Sequence, residues 1–225
     1  MTRPLLLDTF CGAGGAGVGY HRAGFDVIGV DIKLHADYPF PMIVGNAMEY
    51  LTDAEFLAQF DAVHASPPCP RYSRATPAAN RDSHPDLVGP VREALEAWGG
   101  SYIIENVPGA PLDHPVILCG SAFGLRVRRH RLFESNAFLM SPGCCHGGQI
   151  PVGVYGQHPD REGGFLRPDG SSRGVKATSV ADAGDALGID WMTQWEDLAD
   201  SIPPAFTEHL GDQLLGQLIE REAAA

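Results

Sequence analysis

The sequence predicts an α/β fold, a doubly wound and mostly parallel sheet with a small loop-rich insert toward the C-terminal end. Three observations predict it. Short apolar runs alternate with amphipathic stretches at the spacing of βαβ units. The runs are continuous rather than alternating, as in strands buried on both faces. Between residues 135 and 182 the periodicity fades, and Gly, Pro and Ser accumulate (SPGCCHGG, YGQHPDREGG, RPDGSSRG).

Residues 4–8 (PLLLD) read as the first strand, followed by a glycine-rich turn and a helix-compatible stretch ending at residues 23–24. Residues 25–30 (FDVIGV) read as the second strand, with Asp31 at its carboxyl end, and 41–44 as a third. One helix is expected over 47–59, with Met48, Leu51, Phe56 and Leu57 as its apolar face. Residues 61–65 (DAVHA) lead into the loop SPPCPRYS, 87–98 are helical in pattern, and 102–104 form a strand ending at Glu105. Regular patterning returns over 183–195, and a closing amphipathic helix near 204–221 is expected to pack beside the first strand. The chain thus divides into a main domain (1–134 and 183–225) and an insert (135–182). Sheets of this kind bind ligands outside the carboxyl ends of their strands. Asp8, Asp31, the loop around Cys69 and Glu105 are all expected on that rim.

With 225 residues, 44% of them hydrophobic, the chain can bury one substantial core. No apolar run approaches the roughly 18 residues that a membrane span needs, so no membrane partner is expected. Five irregularly spaced cysteines, Cys11, Cys69, Cys119, Cys144 and Cys145, argue against a disulfide framework and for a cytoplasmic protein with reduced thiols. Nothing in the sequence fixes an oligomeric state. A formal net charge of −12 opposes unspecific binding to nucleic acid. One dense basic cluster (Arg126, Arg128, Arg129, His130, Arg131) leaves room for a local positive face.

Gly12, Gly14 and Gly17 satisfy G-x-G-x-x-G after a strand, and Asp31 lies nineteen positions past Gly12. Such glycines let the backbone approach a nucleotide, and the acid can accept from ribose hydroxyls. Alone, the pattern fits NAD, FAD, S-adenosylmethionine or an unliganded turn. Phe10 tilts the choice toward S-adenosylmethionine, since an aromatic ahead of the glycines can cover an adenine, although by itself Phe10 is a core residue. Cys69 sits among Pro67, Pro68 and Pro70, which stiffen its loop. Cytosine C5 accepts a methyl group only after a thiolate adds to C6, with an acid near N3 to handle the proton. Cys69 and Glu105 supply those two groups. Singly, they read as an inert thiol and a salt-bridged carboxylate.

DTFCGAGG, SPPCPRYS, IENVP, RRHRLFES and SIPPAFTEHLG occur in one order. In this the chain resembles the C5-cytosine DNA methyltransferases, over nearly all its length except the insert. The resemblance implies a sheet of the S-adenosylmethionine-dependent methyltransferase type, S-adenosylmethionine as cofactor and DNA as partner. It further implies methyl transfer to C5 of a flipped cytosine through a covalent Cys69–C6 adduct, with Glu105 as the acid. Arg129 and Arg131 alternate, which on a strand points them one way. By resemblance this pair lies in the active site, contacting cytosine O2 (Arg131) and fixing the glutamate, and a guanidinium beside Cys69 would lower its pKa. Asn106 would brace the cysteine loop. Phe10, Gly12, Gly14, Gly15, Asp31, Ile32, Asn46 and Pro68 would line the cofactor pocket, and Ser73, Arg71 and Arg128 would contact DNA.

The chain departs from that family at Asn46 (usually aspartate), Pro70 and Val127 (often glutamine) and Asp200 (usually asparagine). The insert, where the family reads DNA sequence, is short, which implies recognition of few base pairs. Three alternatives remain at this level. They are the same chemistry on RNA, a nucleotide or a modified cytosine; a dinucleotide-dependent oxidoreductase; and a non-catalytic DNA-binding module. Cys144, Cys145 and His146, with Cys119, His130 or His158, invite a zinc reading. Adjacent cysteines and the lack of any C-x-x-C pair argue against it, so no metal is expected.

Overall fold

A computed structural model describes residues 2–73, 76–156 and 174–224. Five strands run parallel: β1 (Leu5–Thr9), β2 (Asp26–Asp31), β3 (Met42–Val44), β4 (Ala62–Ala65) and β5 (Ser101–Asn106). β7 (Arg131–Ser135) is reversed against both β5 and β6 (Val116–Leu118). The sheet order is β3-β2-β1-β4-β5-β7-β6. Strand order switches direction between β1 and β4, which opens a crevice at their carboxyl ends. The glycine turn and the cysteine loop both leave the sheet there.

Side-chain alternation explains the double winding. Leu6 and Ile103 face one layer with Tyr20 of α1 (Gly15–Ala23) and Phe206, Leu210 and Leu214 of α7 (Pro204–Ala224). Their neighbours Leu7 and Ile104 face the other, with Leu51, Leu57, Val91 and Leu95. That second layer is α2 (Ala47–Leu51), α3 (Ala54–Leu57) and α4 (Val88–Trp98).

Several elements differ from the sequence expectation. The helix expected over 47–59 is two short ones, because the Asp53 carboxylate accepts from the N–H groups of Glu55 and Phe56, both at 3.0 Å, and starts a new helix. β5 is longer than 102–104 and carries Glu105 inside it, with all six residues buried. The closing helix packs chiefly on α1, in the layer that also takes Leu6 of the first strand. A Cβ on Gly19 would lie 2.0 Å from Thr207 Oγ1, and one on Gly211 would lie 2.7 Å from Ala23 Cβ. Thr207 Oγ1 donates to the Ala16 carbonyl at 2.8 Å across the same seam.

The insert contains a small parallel pair, β8 (Val152–Gly153) and β9 (Val175–Lys176). Val152, Val154 and Ala177 pack with Leu187 of α5 (Val180–Leu187) and with Trp195 and Leu198 of α6 (Trp195–Asp200) in a third core cluster. Ser179 caps α5, so helix begins slightly before the expected boundary. The expected loop sequences between 157 and 173, and His158 with them, lie outside the described residues. Among the described residues no helix is long and apolar enough to cross a membrane.

Candidate active site

At the end of β1 the chain turns through positive φ at Phe10 (56°), Gly12 (51°) and Gly14 (90°). The turn is fastened from β2. Asp31 accepts from Gly12 N at 3.0 Å with one oxygen and from Lys33 N at 3.1 Å with the other. The expected ribose acceptor therefore already ties the glycine turn to its neighbour, with lone pairs still unspent. The glycines serve different ends. A Cβ on Gly12 would meet nothing within 4 Å, whereas on Gly14 it would lie 2.9 Å from Pro39 Cδ and on Gly15 2.4 Å from the Ile202 carbonyl. Gly14 and Gly15 are small because protein backs them, and Gly12 alone faces open space.

Ile32 is 71% exposed beside this opening, a large apolar side chain left facing solvent. Phe10 is half-buried and Pro68 exposed. Asn46 caps α2, its side-chain oxygen accepting from Met48 N at 3.2 Å, so the carbonyl assigned to an adenine amino group already holds a helix N–H.

Across the crevice, the loop after β4 curls because the Cys69 carbonyl accepts from both Tyr72 N (2.9 Å) and Ser73 N (3.0 Å). Asn106 Nδ2 donates to the Pro67 carbonyl at 2.9 Å, so the residue after Glu105 braces the cysteine loop. Glu105 is 6% exposed, and Arg131 Nε lies 3.0 Å from its Oε1. That contact is a close ion pair but is not aligned as a hydrogen bond, so this oxygen can still accept one.

Burial pushes the Glu105 carboxyl above its ordinary range, against the opposing pull of Arg131, Ser66 and Arg129. Burial also pushes the Cys69 thiol up, Glu105 and Asp200 add to the push, and Arg131 opposes it. The expectation of a lowered thiol pKa is thus reversed. The guanidinium is present, but desolvation and two carboxylates outweigh it. Asp200, noted in the sequence only as a departure, is one of the charges of this site.

A buried chain of polar groups backs the glutamate. Ser66 lies close enough to lower the Glu105 pKa, His64 Nε2 lies 2.9 Å from Ser66 Oγ, and Tyr20 OH lies 3.0 Å from His64 Nδ1. Burial lowers the His64 pKa to about 3, so the ring stays neutral. Sequence reasoning missed this chain. The one available signal was a histidine inside the otherwise apolar strand DAVHA.

The arginine pair does not sit on one strand. Arg129 lies before β7 with φ 32°, so strand alternation does not apply to it. Its guanidinium donates to the carbonyls of Ala199 (2.9 Å), Leu198 (3.3 Å), Ser201 and Val154. Burial and then the Arg131 charge pull its pKa below the usual arginine value. Arg129 holds the C-terminal end of α6, where a cation is favoured, and Arg131 holds Glu105.

The residues assigned to DNA are also engaged within the chain. Arg71 lies 3.5 Å from both Asp82 and Asp86 and donates to the His84 carbonyl. Arg128 donates to the Gln149 carbonyl at 2.9 Å, and Arg126 meets Asp182 and Asp185 at 2.9 Å each. Ser73 contributes its N–H to the cysteine turn. The basic cluster of the sequence is therefore not a free positive face. Its charges are spent on carboxylates and carbonyls of neighbouring segments.

No family model matches the chain. The type II methyltransferase M.XorII of Xanthomonas oryzae pv. oryzae is 32% identical over 124 residues, a match that spans 48% of this chain and 29% of that protein. Among solved structures, the Entamoeba histolytica methyltransferase EhMeth superposes with a TM-score of 0.61 at 13% identity, covering 97% of this chain and 99% of the other. The Dnmt2 methyltransferase of S. pombe gives 0.61 at 12% identity, covering 96% and 99%. A Spodoptera frugiperda DNMT2 mutant gives 0.58 at 12%, covering 94% and 99%. The fold is that of these methyltransferase structures.

Proposed function

We propose that the chain is a cytosine-5 methyltransferase acting on DNA, with Cys69 as nucleophile and Glu105 as the acid at ring N3. The observation that carries this reading is the pairing at one rim. Cys69 sits on a loop braced by Asn106, within electrostatic reach of a buried Glu105–Arg131 ion pair. Across the crevice, Gly12 faces open space beside Asp31 and the exposed Ile32. Those residues fit an adenosyl group: a backbone that can be approached closely, a carboxylate with lone pairs left for ribose hydroxyls, and an apolar plate for a purine. S-adenosylmethionine, when bound there, supplies an electrophilic methyl group.

The chain's own residues handle the pyrimidine. The Cys69 thiol loses its proton and its sulfur bonds to C6, and the ring electrons shift toward N3 and C5. Glu105, whose raised pKa keeps a protonated fraction at higher pH than an ordinary glutamate, donates to N3 and stabilises that shift. Arg131 holds the carboxyl in place and takes up charge as it ionises. After C5 is alkylated, a base removes the C5 proton, the C6–S bond breaks, Cys69 leaves as thiolate and N3 returns its proton to Glu105. The target base must leave the duplex first, since C6 is out of reach inside the stack. The short insert implies a recognition site of few base pairs.

A second reading keeps the chemistry but changes the substrate to RNA or a nucleotide. Its support is that Arg71, Arg126 and Arg128, the described arginines expected to face duplex phosphates, are each already engaged within the chain. The test uses DNA and RNA oligonucleotides containing 5-fluorocytosine, each with S-adenosylmethionine. A denaturation-resistant complex on DNA, lost in Cys69→Ser, is the expected result. A complex on RNA alone selects the second reading, and adduct formation that survives Cys69→Ser rejects both.

A further inference from the structure

On the side of β7 away from the cysteine loop, four side chains from three segments converge. Cys119 directly follows β6, His130 directly precedes β7, and Cys144 and His146 lie at the start of the insert. One ligand atom from each, two sulfurs and two ring nitrogens, all fall within 4.8 Å of one another. Cys119 Sγ is 3.4 Å from His146 Nε2, and His130 Nε2 is 3.3 Å from Cys144 Sγ. In a tetrahedron with Zn–S near 2.3 Å and Zn–N near 2.0–2.1 Å, a sulfur–nitrogen edge is about 3.6 Å. Both measured edges lie close to that value. The two imidazole rings stand at 79° with centroids 5.4 Å apart, so their nitrogens approach a common point from nearly perpendicular planes.

We propose that Cys119, His130, Cys144 and His146 form a tetrahedral structural zinc site that fastens the start of the insert to the β6–β7 connection. Two ordinary thiol–imidazole hydrogen bonds would explain each pair but not the convergence of all four donors, since sulfur is a weak hydrogen-bonding partner. The surroundings of Cys119 agree with a metal-bound thiolate. Ser121 Oγ lies 3.1 Å from its sulfur and accepts from Cys145 N at 3.2 Å, which leaves the hydroxyl proton free to point at the sulfur. The donor set selects the ion, because two thiolates and two imidazoles in a tetrahedron suit Zn²⁺. Binding releases one proton from each thiol and leaves the centre neutral. Four protein ligands leave no open position, so the ion holds structure rather than substrate.

The expectation of no metal rested on adjacent cysteines and the missing C-x-x-C. Only Cys144 of the adjacent pair is a ligand. Cys144 and His146, two positions apart, turn the same way, and the remaining two ligands come from segments remote in sequence. The anchored stretch runs into Arg128, Arg129 and Arg131, so the site also stiffens the approach to Glu105. The proposal rests on no reading of the reaction.

The test is metal analysis of the full chain purified without chelators. One zinc per chain is expected, with Cys144→Ser and His146→Ala each falling to a small fraction of that and Cys145→Ser remaining at one. Cys144 is exposed, so its serine variant should keep the fold, as circular dichroism can verify. If zinc-poor variants do unfold, cobalt exchange into the unmutated protein decides instead. A sulfur-to-cobalt charge-transfer band with intense visible d–d bands supports the site. Unmutated protein without zinc and without that spectrum overturns the proposal. So does zinc that persists at one per chain in Cys144→Ser, or a Cys119–Cys144 disulfide found by mass.

Discussion

At the glycine turn one carboxylate of the adjacent strand and the Trp191 indole, which donates to the Ala13 carbonyl at 3.0 Å, hold backbone atoms, whereas at the cysteine loop the ionisable side chains themselves are held by partners from distant segments. Asp31 fastens Gly12 from β2, one strand away. Glu105 is held by Arg131 of β7, and Arg129 reaches one carbonyl within the insert (Val154) and three beyond it (Leu198, Ala199 and Ser201). One half of the rim is a fastened backbone turn, and the other carries interacting charges. A substitution at the first half should therefore act on stability or cofactor affinity, and at the second on chemistry and its pH dependence.

The largest expected effect sharpens that contrast. Cys69→Ser should lower methyl transfer by about three or more orders of magnitude, because the replaced group forms the bond to C6. Affinity for S-adenosylmethionine, measured by calorimetry, should be nearly unchanged, and a large loss of affinity would mean that the two halves are not separable. Next comes Gly19→Ala. Its new Cβ would sit 2.0 Å from Thr207 Oγ1 and 2.2 Å from the Pro204 carbonyl, so α1 and α7 must part. A cost of about 3 kcal/mol in urea denaturation is expected from such overpacking; an unchanged midpoint would remove the close helix contact from the account.

Arg129→Met should cost about 2 kcal/mol, through the loss of charge-assisted bonds to the carbonyls at the end of α6. It should also lower kcat/KM more than cofactor affinity, since Arg129 adds to the field at Glu105. The smallest effect is a shift in pH profile. The thiol must be deprotonated and the carboxyl protonated, so kcat/KM should rise as Cys69 ionises and fall as Glu105 does. Ser66 lowers the Glu105 pKa, so Ser66→Ala should raise it and move the limb governed by Glu105 to higher pH. Movement to lower pH would exclude Ser66 as a partner of the ionised carboxylate.

The same contrast explains what could be read from the sequence. The parallel sheet, the positions of Asp31 and Cys69 on the rim and the brace from Asn106 follow from strand pattern and short motifs, because each depends on neighbours within one βαβ unit. The break at Asp53 was legible too, as a capping aspartate two positions ahead of Glu55, but helical periodicity on either side concealed it. What could not be read depends on which distant segment lands beside which. Arg71, Arg126 and Arg128 look alike in a sequence, and only the fold brings Asp82 to the first, Asp182 and Asp185 to the second and the Gln149 carbonyl to the third. The direction of the Cys69 shift was lost for the same reason, since Asp200 is remote in sequence yet near in space.

The seam between α1 and α7 has a consequence for biosynthesis. The bond from Thr207 to the Ala16 carbonyl joins residues 191 positions apart, and Tyr20 and Phe206 share one apolar layer. The segment bearing the glycine turn is translated well before the surface that covers its first helix, which follows it by 191 positions. Until then that helix exposes a strip of small and aromatic residues, and such high contact order slows folding. The nascent chain is expected to stay protease-sensitive at its amino-terminal third until the closing helix has docked.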